Sequence, residues 1–115
     1  MITKDGRQFI RDKLNNNVGW KIGNGGDSTN PNATDLDVPI NTLIQSSGIT
    51  INSSSETTID YNITVNGASY VGQTIKEIGL YEITGSKLLC RVPIESVGPL
   101  VSTDIVEIII TLEVD

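Results

Sequence analysis

The sequence predicts a mainly β protein, an antiparallel β-sandwich or small barrel carrying one short N-terminal α-helix. Three observations predict it. Residues 57–65 and 104–114 alternate apolar and polar side chains with a period of two. Residues 74–94 read as two such strands folded back on each other at Thr84-Gly85-Ser86. Finally, the apolar composition is dominated by Ile and Val, and Thr is abundant, whereas aromatics make up only 4%. β-Branched side chains suit a pleated, half-buried surface better than a helix. Of the two architectures, the sandwich is preferred.

The elements follow in chain order, within one domain spanning 1–115. A helix is expected over about residues 5–15, with Phe9, Ile10 and Leu14 on one stripe and charged residues around the rest. Asn15-Asn16-Asn17 and Gly19 would stop it. Val18 to Ile22 is short and apolar enough for a strand centred on Trp20. Residues 23–35, dense in Gly, Asn, Asp, Ser and Pro, predict a long loop. Strands then occupy about residues 38–114. One or two fall before Ile51, and another has Ile59, Tyr61, Ile63 and Val65 facing inward. In the central hairpin Ile78 and Leu80 face one way, and Glu77, Gly79 and Tyr81 the other. On its return strand Leu88, Cys90, Val92 and Ile94 share a face. Pro99 marks residues 96–103 as a connection. The last strand is apolar on both faces in its middle, which predicts a central strand covered from two sides.

Composition excludes several function classes. The net charge is −6, and no Lys or Arg cluster stands out, so phosphate-backbone binding and attachment to anionic membranes are not expected. No apolar run reaches the length of a membrane span. The N-terminus, MITKDGRQFIRDKL, has no apolar core of the signal-peptide kind, so synthesis in the cytoplasm is expected.

The side chains that could carry chemistry are few. Histidine is absent, which removes Ser-His-Asp and Cys-His catalysis and the commonest transition-metal ligand. Cys90, the single cysteine, sits on an apolar strand face and reads as a small buried hydrophobe. Glu77, Glu107 and Glu113 alternate with apolar residues, as solvent-facing acids do. Asp27, Asp35 and Asp37 have an oxygen-ligand flavour, but they lack the D-x-D-x-D-G spacing of a calcium loop. Gly23-x-Gly25-Gly26 resembles a phosphate-binding turn that opens no helix. The expectation is no enzyme, no cofactor and no metal.

Two segments resemble a known family, the small structural proteins of tailed bacterial and archaeal viruses. The first is Ile2-Thr3, Gly6-Arg7, Ile10 and Leu14, leading through Ile22-Gly23-Asn24-Gly25-Gly26 to Ala33-Thr34-Asp35 and Leu36. It is similar to that family's short helix, its strand ending in "IGxG", and its polar loop closing on an "ATDT-L"-like element. The second, Ile75-Lys76-Glu77-Ile78-Gly79-Leu80-Tyr81 with Leu88-Leu89-Cys90-Arg91, resembles the family's "I-x-E-x-G-L-[YF] … LLAR" hairpin. Asp37 and Cys90 depart from the pattern, where the family often has an uncharged residue and usually an alanine.

The resemblance implies a virion component: a tail, neck, fibre-base or capsid-decoration subunit working through repeated contacts with its own copies and with other virion proteins. A trimer or hexamer fits such parts. The contact candidates are the long loop Gly23 to Asp35, represented by Asn24, Asp27, Asn30 and Asp35, and the connection Gly98 to Ser102, represented by Pro99 and Leu100. The rival expectation is a carbohydrate-binding or adhesive sandwich module. For that the aromatics available are Trp20, Tyr61, Tyr70 and Tyr81, of which Tyr70 is the one expected outside a strand.

Overall fold

In a computed structural model of the chain, residues 1–25, 31–44, 47–52 and 58–113 are described. Helix α1 spans Lys4–Asn16, and six strands follow: β1 Val18–Gly23, β2 Ile49–Asn52, β3 Thr58–Asn66, β4 Ile75–Glu82, β5 Lys87–Val97 and β6 Ile105–Glu113. A turn of 3₁₀ helix, Gly67–Ser69, follows β3, its first free N–H satisfied by the Asn66 side chain. The strands form two three-stranded antiparallel sheets packed together, ordered β1-β4-β5 and β2-β3-β6. The expected β-sandwich with one N-terminal helix is therefore present.

Helix α1 starts where Thr3 Oγ1 accepts a hydrogen bond from Gly6 N at 3.1 Å, an N-cap with Asp5 in the first turn. Ile10 and Leu14 are half-buried, but Phe9 is 64% exposed and lies under the Lys13 ammonium. Positions 10 and 14 lie one turn apart, and that narrower stripe is what faces the body. The Tyr61 hydroxyl donates to Leu14 O at 3.0 Å, tying the last turns of the helix to the middle of β3.

One core joins the sheets. Val18, Trp20 and Ile22 of β1, Ile78 and Leu80 of β4, and Ile59, Tyr61, Ile63 and Val65 of β3 are all buried. Burying side chains of this size stabilises by roughly 1.5–3 kcal/mol each before chain entropy is set against it.

Three expectations need correction. First, β6 is not central: it pairs with β3 alone and forms an edge of its sheet. Its inward row is half-buried or buried, but Ile105 and Ile109 on the other face are 70% and 66% exposed. A double-faced apolar middle is also what an uncovered edge looks like in sequence.

Second, Leu88 does not share the Cys90 face. The register slips between Leu80↔Cys90 and Tyr81↔Leu88, leaving Leu89 as an extra residue. Such a bulge reverses the side chains beyond it. Cys90, Val92 and Ile94 pack on the core, whereas Leu88 lies beside Gly79 on the opposite face of the sheet.

Third, both faces of β4 are covered. Glu77, Gly79 and Tyr81 are as buried as Ile78 and Leu80. The cover is the chain after β1, which doubles back along the edge of β1: Asn24 N donates to Val38 O, Ile40 N to Ile22 O, and Trp20 and Ile44 exchange backbone hydrogen bonds. The stretch 38–44 thus pairs as isolated bridges rather than as a full strand.

Candidate functional site

The cluster richest in charge lies on the outer face of β4, beneath this returning segment. Leu36 is 4% exposed and drops between Gly23 and Gly79. A Cβ on Gly79 would stand 2.9 Å from the Tyr81 ring and 3.0 Å from Leu36 Cδ2; one on Gly23 would stand 2.6 Å from Glu77 Oε1. Only hydrogen fits at either position, so the two glycines make the slot that receives Leu36.

Around that slot the polar groups pair off. Glu77 Oε1 accepts from Asp37 N at 3.0 Å, and Oε2 accepts from Arg91 Nη2 at 3.1 Å. Arg91 also lies 3.4 Å from Asp37 Oδ1. Asp35 accepts from the Tyr81 hydroxyl at 2.6 Å, from its neighbour Leu36 N and from Lys21 Nζ, which sits over the Tyr81 ring. Partial burial pushes the Asp35 carboxyl up, but the bonds from Tyr81, Leu36 and Lys21 outweigh it and hold it below the usual range. Burial, then the Asp35 carboxylate, push the Tyr81 hydroxyl well above its ordinary value.

Glu77 is therefore not the solvent-facing acid that strand alternation suggests. Its carboxylate and the Arg91 guanidinium are 1% and 4% exposed. A buried pair of this kind is net stabilising only with good geometry and further hydrogen bonds, and here a backbone amide supplies one. The sequence signal was Gly79 between Glu77 and Tyr81, since a glycine inside a strand marks close approach of another segment.

This arrangement joins the loop to the sheet. Beside it lies a shallow groove of about 450 Å³ bordered by Lys21, Pro39, Asn41, Leu43, Tyr81 and Ser86. Its titratable groups, Lys21 and Tyr81, are both already held by Asp35. Among the described residues no group of three or more Cys, Asp or Glu could hold a metal. Burial pushes the Cys90 thiol up, the opposite of what a reactive thiolate needs. No described helix is long and apolar enough to cross a membrane.

The candidate contact residues divide. Asn24 is exposed just past β1, and Pro99 is exposed after a cis peptide bond to Gly98. Asp35 is partly exposed but held by Tyr81 and Lys21. Leu100 is 1% exposed, its backbone bonded to Gln73 and Gly72, and serves the core. Asp27 and Asn30 lie outside the described residues. For the adhesive reading, Trp20, Tyr61 and Tyr81 are buried, and Tyr70 is half-buried against the core. Tyr70 lines a small pocket of about 210 Å³ with Trp20, Ile44 and Thr64.

Four strand edges bound the two sheets, and three are guarded. The edge of β1 is bridged by residues 38–44. Strand β2 has only four residues and lies beside α1. Strand β5 carries Pro93 and two register shifts. These are the usual devices against edge-to-edge pairing. Among the described residues strand β6 has no such cover, Pro or register shift: it is nine residues in unbroken register, with Glu107 and Glu113 as its charged residues. No protein-family model, curated protein or solved structure matches this chain.

Proposed function

We propose that this chain is a non-enzymatic structural subunit of a tailed-virus particle, of tail, neck, fibre-base or capsid-decoration type, acting through protein–protein contacts. One observation carries the reading. The residues behind the resemblance come from two separated segments, and they meet in a single cluster: Gly23, Asp35 and Leu36 against Glu77, Gly79, Tyr81 and Arg91. A sequence pattern spent on anchoring a loop to a sheet suits a part whose task is to keep its shape. The β6 edge, unpaired among the described residues, supports the same reading, because it supplies a surface for pairing with a neighbour. Mass spectrometry and immunogold labelling of purified virus particles from the culture that encodes the chain test it. Detection at a fixed ratio to the major capsid protein is the expected result; particles that lack the chain would overturn it.

A further inference from the structure

We infer that β6 pairs antiparallel with β6 of a second copy of this chain, about a twofold axis at Ile109. The inference deepens the assembly-subunit reading and rests on it for the expectation that copies meet.

The backbone sets which residues can bond outward. Gly67 N donates to Asp104 O, and these residues lie opposite each other one step beyond Asn66↔Ile105, the last pair of the β3–β6 register. A bond between directly opposed residues occurs only at the narrow pairs of an antiparallel ladder, so even-numbered β6 residues turn their N–H and C=O toward β3. Thr64 N bonding to Gly48 O gives the same parity from the other side of β3. The odd-numbered residues, Ile105 to Glu113, therefore aim their backbone groups away from the sheet.

The outward side chains select the partner and the register. Across β3, Ile105 faces Asn66 and Ile109 faces Asn62, so neither exposed isoleucine has an apolar neighbour opposite. Full overlap of two β6 strands sets Ile109 against Ile109 of the other copy, and Glu107 against Thr111. It also sets Glu113 against Ile105, so no two acids face each other. On the inner face it places Val106 opposite Leu112 and Ile108 opposite Ile110, which extends the half-open apolar row. Centring the axis on Glu107 instead would oppose the two copies of that carboxylate, and a register with Glu107 opposite Glu113 does the same, both unfavourable. In the register centred on Ile109 the strand is self-complementary in hydrogen bonding and charge, whereas an axis at Ile108 would set each Ile109 against Glu107 of the other copy. A twofold contact builds dimers, or hexamers of dihedral symmetry, but no cyclic trimer.

The test uses the full chain. Sedimentation across a concentration series should show an even-numbered assembly. Ile109→Lys, which sets two ammonium groups at the axis on an exposed face, should dissociate it with the far-ultraviolet circular dichroism unchanged. Thr111→Lys, facing Glu107 of the other copy, should tighten it by about threefold. In a Cys90→Ala background, spin labels placed singly at 105, 109 and 113 report the register by pulsed dipolar spectroscopy. Label 109 should lie in near contact with its copy, and labels 105 and 113 should give equal backbone separations of about 27 Å, from eight residues of strand rise. A monomer at every concentration, an assembly that survives Ile109→Lys, or unequal separations at 105 and 113 would each overturn the inference. Absence from virus particles would instead sink the proposed function and leave a measured dimer standing.

Discussion

Arg91 Nη2 stands 3.1 Å from Glu77 Oε2, with both side chains almost fully buried under a loop that arrives from forty residues earlier in the chain. The pair holds the returning segment because Glu77 also accepts the Asp37 amide. Asp37, a departure from the resembled pattern, contributes a second carboxylate to Arg91.

Removing one member should cost far more than removing both. Glu77→Gln leaves the buried guanidinium with Asp37 as its remaining carboxylate, an expected loss of about 2–4 kcal/mol in urea unfolding. Glu77→Leu with Arg91→Met should be milder than either single change, because the charge it strands, on Asp37, is 40% exposed rather than buried. A double variant worse than both singles would show that the pair's worth lies in stability after all.

The Leu36 slot can be emptied or blocked. Leu36→Ala should lose about 2–4 kcal/mol, and Gly79→Ala about 1–3 kcal/mol by overpacking against Tyr81 and Leu36. Both should speed amide exchange in residues 31–40 while leaving β3 protected, as a locally opened segment does.

Acid should loosen the same region. Asp35 titrates lower in the folded chain than its ordinary 3.8, so its contribution is complete above that value and is lost as pH falls through the folded pKa. Glu82, held low first by the Gly85 amide and also by Thr84 and Asn17, acts in the same direction at the β4–β5 turn. Tyr81→Phe deletes the hydroxyl bond to Asp35. It should cost about 1 kcal/mol at neutral pH, and the deficit should shrink as the medium is acidified.

Alkali works on the tyrosines. Burial pushes Tyr61 up to about 12, and Tyr81 is shifted in the same direction. An acid raised on folding contributes stability that is whole below its unfolded pKa, near 10, and is lost as pH rises through the folded one. Stability should therefore fall above about pH 10, and Tyr61→Phe should flatten the decline. A slope unchanged in that variant would contradict the assignment.

The two loops once grouped as contact candidates should part company. Leu100→Ala should destabilise by about 2–5 kcal/mol as a core truncation. Asn24→Ala, at an exposed site, should stay within about 0.5 kcal/mol. Thermal unfolding of the two variants side by side reads the difference.

Much of this molecule was legible in its residues. Period-two alternation identified β3, β4 and β6, the apolar run around Trp20 identified β1, and the charged N-terminal stretch identified the helix to within a residue at each end. These are local matters, set by which side chains share a face and where Gly and Asn can turn the chain. The candidate site was far less legible. Periodicity assigns a residue to a face but is silent on what covers that face, so Glu77 looked like a solvated acid and the last strand looked central.

Local pattern by itself determined the β class, the helix, the hairpin and the inward row of β3. Tertiary structure decided that residues 31–44 fold back over β4 and bury Glu77 with Arg91, that a bulge at Leu89 turns Leu88 to the other face, and that β6 lies at the edge of its sheet. The physical reason is one of range. Side-chain alternation follows from backbone geometry over a few residues, whereas coverage and strand order depend on which distant segment lies against a face once its backbone groups have found partners.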